Sequence, residues 1–250
     1  ALFKNAKAAH QNKIRVAVIL GGYSSERHIS VESGRNVFEK LASSETYLPI
    51  PVFLKGNAEH FNLFQLPIHL LLKDNADDIN EKLQQTTVHS FVEDVRKSCA
   101  AIIANDGSSQ NIWFAKAIPW ETLKTVCDVV FIALHGRPGE DGALQRQLEA
   151  LHIPYNGSGP QSSALTIDKF KTNALLRQKG FQVAQHRCIQ RTEWEQQPQE
   201  IIKELERTIG FPCIAKPADD GCSSAVKKIN SAEEFKAFCK LMFRNSTELD

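Results

Sequence analysis

The clearest hydrophobic pattern lies at Arg15 to Leu20, "RVAVIL", where Val and Ile run unbroken into Gly21-Gly22. An apolar run of strand length predicts a parallel strand covered on both faces. The polar loop "GGYSSERHIS" follows, and then a helix through about Leu41 that Ser24 or Ser25 can cap. A second strand is predicted at Leu48 to Leu54, so the chain opens β-α-β, the start of an open parallel α/β sheet. Residues 55–125 are patterned less clearly. "HSFVEDV" and "CAAII" suit strand or helix, and "NDGSSQN" at 105–111 is a loop by composition. The pattern sharpens at Val126 to Leu134, "VCDVVFIAL", a buried strand that runs into "HGRPGEDG" and a helix from about Asp141 to Leu151.

The second half is patterned differently. It predicts a helix from Ser162 to Gln178 stopped by Gly180, a strand at Gln182 to Ile189, and a helix from Glu193 to Thr208 stopped by Gly210. The strand "FPCIAKP", the turn "ADDGCSS", the strand "AVKKI" and a helix capped by Ser231 follow. This α+β order with a hairpin differs from the parallel opening, which implies two domains meeting near residue 158. The predicted organisation is a tail at 1–12, an α/β domain at 13–158 and an α+β unit at 159–250.

Composition narrows the function classes. The chain has 250 residues, enough for a core without staples. Lys plus Arg number 30 against 29 Asp plus Glu, and the basic residues are scattered, which argues against nucleic acid as a partner. The longest clean apolar run, Val129 to Leu134, is far short of the roughly twenty residues of a membrane span. Ala1 to Lys13 is polar and basic, unlike a secretory signal, and the first residue is not Met, so the native start is expected elsewhere. The six cysteines show no C-x-x-C pair, and reduced thiols in a cytoplasmic protein are the expectation.

Three loops could carry chemistry. A strand ending in Gly21-Gly22 and opening a helix aims backbone N–H groups above the sheet edge, where ligands of open α/β sheets bind. The loop is not G-x-G-x-x-G, so a dinucleotide is disfavoured. Glu26 at the helix start either complements the dipole alone or holds a substrate ammonium. At 135–145, "HGRPGEDGALQ" sets His135, Arg137, Glu140 and Asp141 among Gly136, Gly139 and Gly142, denser than a plain turn requires. At 216–224, "KPADDGCSS" offers Lys216, Gly221 and hydroxyls, which suit phosphates, or it is an ordinary hairpin turn; it is not a Walker loop. Lys169, after Asp168 in "TIDKFKTN", reads in isolation as a solvated helix lysine.

Together "GGYSSERHIS", "HGRPGEDGALQ" and "YNGSGPQSSALTIDK" resemble the D-alanine–D-alanine ligases, which are ATP-grasp carboxylate–amine ligases. The resemblance runs from about Ile14 to Ile229 and is thin over 55–125. It implies a Rossmann-like, pre-ATP-grasp N-terminal domain followed by the small central subdomain of an ATP-grasp fold. It implies ATP and Mg2+ as cofactors, D-alanine as substrate, a cytoplasmic enzyme of peptidoglycan synthesis, and a homodimer. Position by position, Glu26 would bind the ammonium of the first D-alanine, and His135 with Gly136 would lie near its carboxylate. Lys169 and Lys216 would meet the ATP phosphates. Gly221, Cys222, Ser223 and Ser224 would form a flap over them, with Glu26, Cys222 and Ser223 taking part in catalysis.

The chain departs from the family pattern at several positions. Cys222 stands where the flap usually has Ser, and its thiol is a poorer donor for a hydrogen bond to Glu26. Arg146 replaces a small residue, and Ala225 stands where Gly is frequent. After Ile229 one helix follows and the sequence stops, so the family's magnesium ligands, transition-state Arg and second-substrate residues are expected outside these 250 residues. The ligase is therefore expected to be inactive as this chain alone. Alternatives are a non-catalytic nucleotide- or amino-acid-binding module, or a ligase for another D-amino or hydroxy acid pair. An Asp, a Glu and an Asn at ligand-like spacing beyond Asp250 would separate enzyme from module.

Overall fold

A five-stranded sheet forms the first half of the protein in a computed structural model that describes residues 13–87, 89–99, 112–219 and 225–243. The predicted tail at 1–12 and the loop at 105–111 lie outside the described residues. The chain divides into two compact units, Ala1–Ala164 and Leu165–Asp250.

In the first unit the elements run β1 (Ile14–Gly21), α1 (Arg27–Ala42), β2 (Tyr47–Gly56), β3 (Phe61–Gln65), α2 (Ile68–Lys73), α3 (Ala76–Lys82) and α4 (Ser90–Ser98). Then come β4 (Lys116–Ile118), a 3-10 turn at Trp120–Thr122, α5 (Leu123–Val126), β5 (Val129–Ile132), α6 (Ala143–Ala150) and α7 (Pro160–Thr166). The sheet order is β4-β3-β2-β1-β5, with β1 parallel to both neighbours. Strand alternation explains the unbroken apolar run of β1. Ala17 and Ile19 pack with Leu144 and Leu148 of α6, while Leu20 packs with Val31 and Phe38 of α1. Both faces are covered, as the run predicts.

The expected open parallel α/β sheet is present, with an antiparallel extension at one edge. Parallel pairing holds across β2-β1-β5 only; β3 and β4 extend the sheet antiparallel. The β2–β3 connection, residues 57–60, is too short for a parallel crossover. The side chain of Asn57 accepts from Glu59 N and His60 N, each at 2.9 Å, and closes a hairpin instead.

The second unit contains α8 (Lys169–Gln178), α9 (Arg191–Gln196), α10 (Pro198–Thr208), β6 (Cys213–Ala215), β7 (Lys227–Ile229) and α11 (Ala232–Met242). Its core joins Ile201, Ile202 and Leu205 of α10 to Ile229, Phe235 and Cys239. Strands β6 and β7 pair antiparallel as the predicted hairpin, and Ser231 caps α11 by accepting from Glu234 N.

Several predicted elements differ. The strand expected at 126–134 is confined to Val129–Ile132, and Val126 closes α5. The helix expected at 162–178 is two, because Asp168 leaves helical geometry and caps α8. The helix expected at 193–208 breaks at Gln197, since the residue before Pro198 is pushed out of the α region. Residues 182–189 are irregular and enter no ladder. Five cysteines are described, and all are free thiols.

Candidate functional site

The carboxyl ends of β1 and β5 lie side by side and carry the two glycine-bearing loops of the first unit. The loops are stitched together by serines. Buried Ser30 accepts from Gly21 N at 2.9 Å and donates to the Ala133 carbonyl at 3.0 Å, so one hydroxyl joins both strand ends. Ser24 or Ser25 was expected as a cap for α1, and neither serves as one. Instead the Ser24 hydroxyl donates to the His135 carbonyl at 2.7 Å, and α1 begins from Glu26 without a side-chain cap. Glu26 N donates to Ser24 Oγ at 3.2 Å.

Glu26 and His135 are thereby brought to one edge. A Cβ placed on residue 136 would sit 3.4 Å from Glu26 Oε2 and 3.0 Å from Ser24 Cβ. Gly136 has φ +68°, so it supplies the backbone turn and, having no Cβ, lets Ser24 and the Glu26 carboxylate pack closely against the loop. The His135 ring meets Ser33 Oγ through Nε2 at 2.8 Å. The loop that follows is braced from within. Gln145 Nε2 donates to the Gly139 carbonyl at 2.6 Å, and Asp141 accepts from Ala143 N at 2.9 Å at the start of α6. Tyr23 packs beside this loop, where burial and the Asp141 carboxylate push its hydroxyl pKa up and keep it a donor at neutral pH.

In the second unit, Lys169 and Lys216 belong to neighbouring stretches of backbone. Lys216 directly follows β6, and Lys169 N donates to the Ala218 carbonyl at 2.8 Å. That bond ties the first residue of α8 to the chain just after Lys216. Asp168 accepts from Lys171 N and pairs with Lys171 Nζ, both at 2.9 Å, which holds its carboxyl below the usual range. Gly221, Cys222, Ser223 and Ser224 lie outside the described residues. Among the described residues no three His, Cys, Asp or Glu side chains converge in a way that could hold a metal ion. These residues therefore do not fit a magnesium site.

Sequence reasoning missed Ser30 and Ser33. Both follow Glu26 at helical spacing, four and seven residues on, and that spacing was the available signal.

The family model for the D-ala D-ala ligase N-terminus matches residues 15–158, and that for the C-terminus matches 175–249. The chain belongs to the D-alanine–D-alanine ligase family. Among relatives of this family, it is 40% identical to the D-alanine–D-alanine ligase of Leptospira interrogans over 94% of this chain and 59% of that protein. It is 32% identical to that of Natranaerobius thermophilus over 89% of this chain and 54% of that protein. The chain thus spans a little over half the length of these ligases. The solved structure of the VanG D-Ala:D-Ser ligase from Enterococcus faecalis matches with a TM-score of 0.60 at 24% identity, over 92% of this chain and 60% of that one. The ligase from Bacillus anthracis matches with a TM-score of 0.54 at 23% identity, over 92% and 54%. These two likenesses establish the shared fold.

Proposed function

We propose that the protein of which this chain forms part is an ATP-dependent ligase joining two D-alanine molecules for peptidoglycan synthesis. The observation that carries this reading is the Glu26 carboxylate set close against Gly136, where the β1 and β5 loops meet, in a D-alanine–D-alanine ligase family member. A carboxylate there suits the ammonium of an amino acid, and His135 at the same edge suits its carboxylate. The first D-alanine carboxylate attacks the γ-phosphorus of ATP, ADP leaves, and an acyl phosphate forms. The amine of the second D-alanine then attacks the acyl carbon, and inorganic phosphate leaves.

Glu26 and His135 position the first substrate, which turns an encounter into an oriented attack. Lys169 and Lys216 offset charge on the phosphates, and residues 221–224, with Cys222 and Ser223, cover them and keep water from the acyl phosphate. The described residues hold no group of three side chains that could bind magnesium. A cytoplasmic homodimer with reduced thiols completes the reading.

The test is phosphate release by the full-length protein across D-alanine, D-serine, D-lactate and other D-acids. Release that depends on D-alanine, with D-alanyl-D-alanine as product, is expected. Release independent of any D-acid, or none at all, would overturn the ligase and favour a binding module.

A further inference from the structure

We infer that Ser33 is a positioning residue that sets the tautomer and ring orientation of His135. The inference rests on the reading of this edge as the site of the first amino acid. Ser33 lies on α1 seven residues beyond Glu26 and three beyond Ser30, so the three side chains share one stripe of the helix. Each has a defined task at the sheet edge. Glu26 presents its carboxylate beside Gly136. Ser30 joins the ends of β1 and β5. Ser33 Oγ meets His135 Nε2 at 2.8 Å. The backbone of His135 is held separately, by Ser24 on its carbonyl. One residue is thus gripped twice, once by its main chain and once by its ring, from both ends of the same loop and helix.

The chemistry follows from what a hydroxyl can do. A hydroxyl can donate or accept; in the proposed arrangement Ser33 donates, Nε2 accepts and the ring proton resides on Nδ1. Nδ1 then offers a single N–H to a carboxylate ligand. Without Ser33 the ring is free to rotate and to exchange tautomers, and a fraction of the protein presents an acceptor to the carboxylate. The preference for a carboxylate-bearing substrate therefore depends on a residue that does not touch it.

Long-range proton–nitrogen NMR of ring-labelled His135 provides the test, together with D-alanine binding by the full-length protein. In wild type a single Nδ1–H tautomer is expected, and in Ser33→Ala a mixture. D-Alanine affinity should fall about tenfold in Ser33→Ala, equivalent to about 1.4 kcal/mol, while ATP affinity stays unchanged. Ser33→Thr, which keeps the hydroxyl, should restore the single tautomer and most of the affinity. In a His135→Ala background, Ser33→Ala should cost nothing further. The inference is overturned if wild type carries the Nε2–H tautomer, if Ser33→Ala leaves the ring spectrum unchanged, or if its loss persists in full without His135. Should His135→Ala leave D-alanine binding intact, the amino-acid reading of this edge fails. The NMR comparison then still decides the role of Ser33 in orienting the ring.

Discussion

The two units solve the placement of loops in opposite ways. In the first, β1 has six consecutive buried residues and is bonded to a parallel strand on each side, so the loops at its carboxyl end start from fixed points. In the second, the hairpin strands are three residues each, with Ile229 the buried position of β7 and Ile214 of β6 59% exposed. Helix α8, which begins at Lys169, has no buried residue. The edge that carries Glu26 is thus preorganised by burial, while the two lysines stand on short elements held by local bonds such as Lys169 N to the Ala218 carbonyl. The proposed roles match this difference: a carboxylate aimed at one ammonium would need the former, whereas long lysines reaching phosphates would tolerate the latter.

The contrast can be broken most directly through packing. Leu54→Ala, at a fully buried position of β2, should cost roughly 2–5 kcal/mol in urea unfolding, and Ile214→Ala less than about 0.5 kcal/mol. Equal losses would remove the contrast. Next, Glu26→Gln should weaken binding of the first D-alanine about ten- to a hundredfold and leave ATP binding within about twofold. Calorimetry that finds both affinities reduced alike would deny Glu26 its separate task. Ser30→Ala strands the Gly21 N–H and the Ala133 carbonyl in a buried place and should cost roughly 1–3 kcal/mol of stability in the same unfolding assay.

Among the polar contacts, the smallest effect should come from the exposed pair at the start of β1. Arg15 donates to both oxygens of Asp128 and holds its carboxyl below the usual range. A lowered folded-state value stabilises the protein above the unfolded pKa of about 4, and that contribution is lost as pH falls through the folded value. Because Asp128 is 47% exposed, Asp128→Asn should cost at most about 1 kcal/mol at pH 7. The difference should vanish near pH 2. A constant difference at both pH values would show that the ion pair is not its source.

Local chemistry made much of this legible. The unbroken run of β1 announced burial on both faces, and the glycine loops after β1 and β5 marked the sheet edge that carries Glu26 and His135. Ser231 as a cap and the β6–β7 hairpin followed from turn and cap residues that act within a few positions of themselves. The antiparallel extension by β3 and β4 was not legible, because β4 is only three residues and follows a stretch whose apolar positions fit either period. Ser24 was legible as a polar residue at a helix start but not as a donor to His135, which is 111 residues away.

What the sequence determined by itself is therefore what nearest neighbours along the chain decide: strand burial, the Ser231 cap, and which loops hold glycine beside charge. What only the tertiary structure decided is which of those polar groups find one another. Ser24, Ser30 and Ser33 have ordinary hydroxyls that could have bonded their own helix. Parallel pairing of β1 with β5 brings the Ala133 and His135 carbonyls and the His135 ring within reach, and at such a buried edge each unmet polar group is costly.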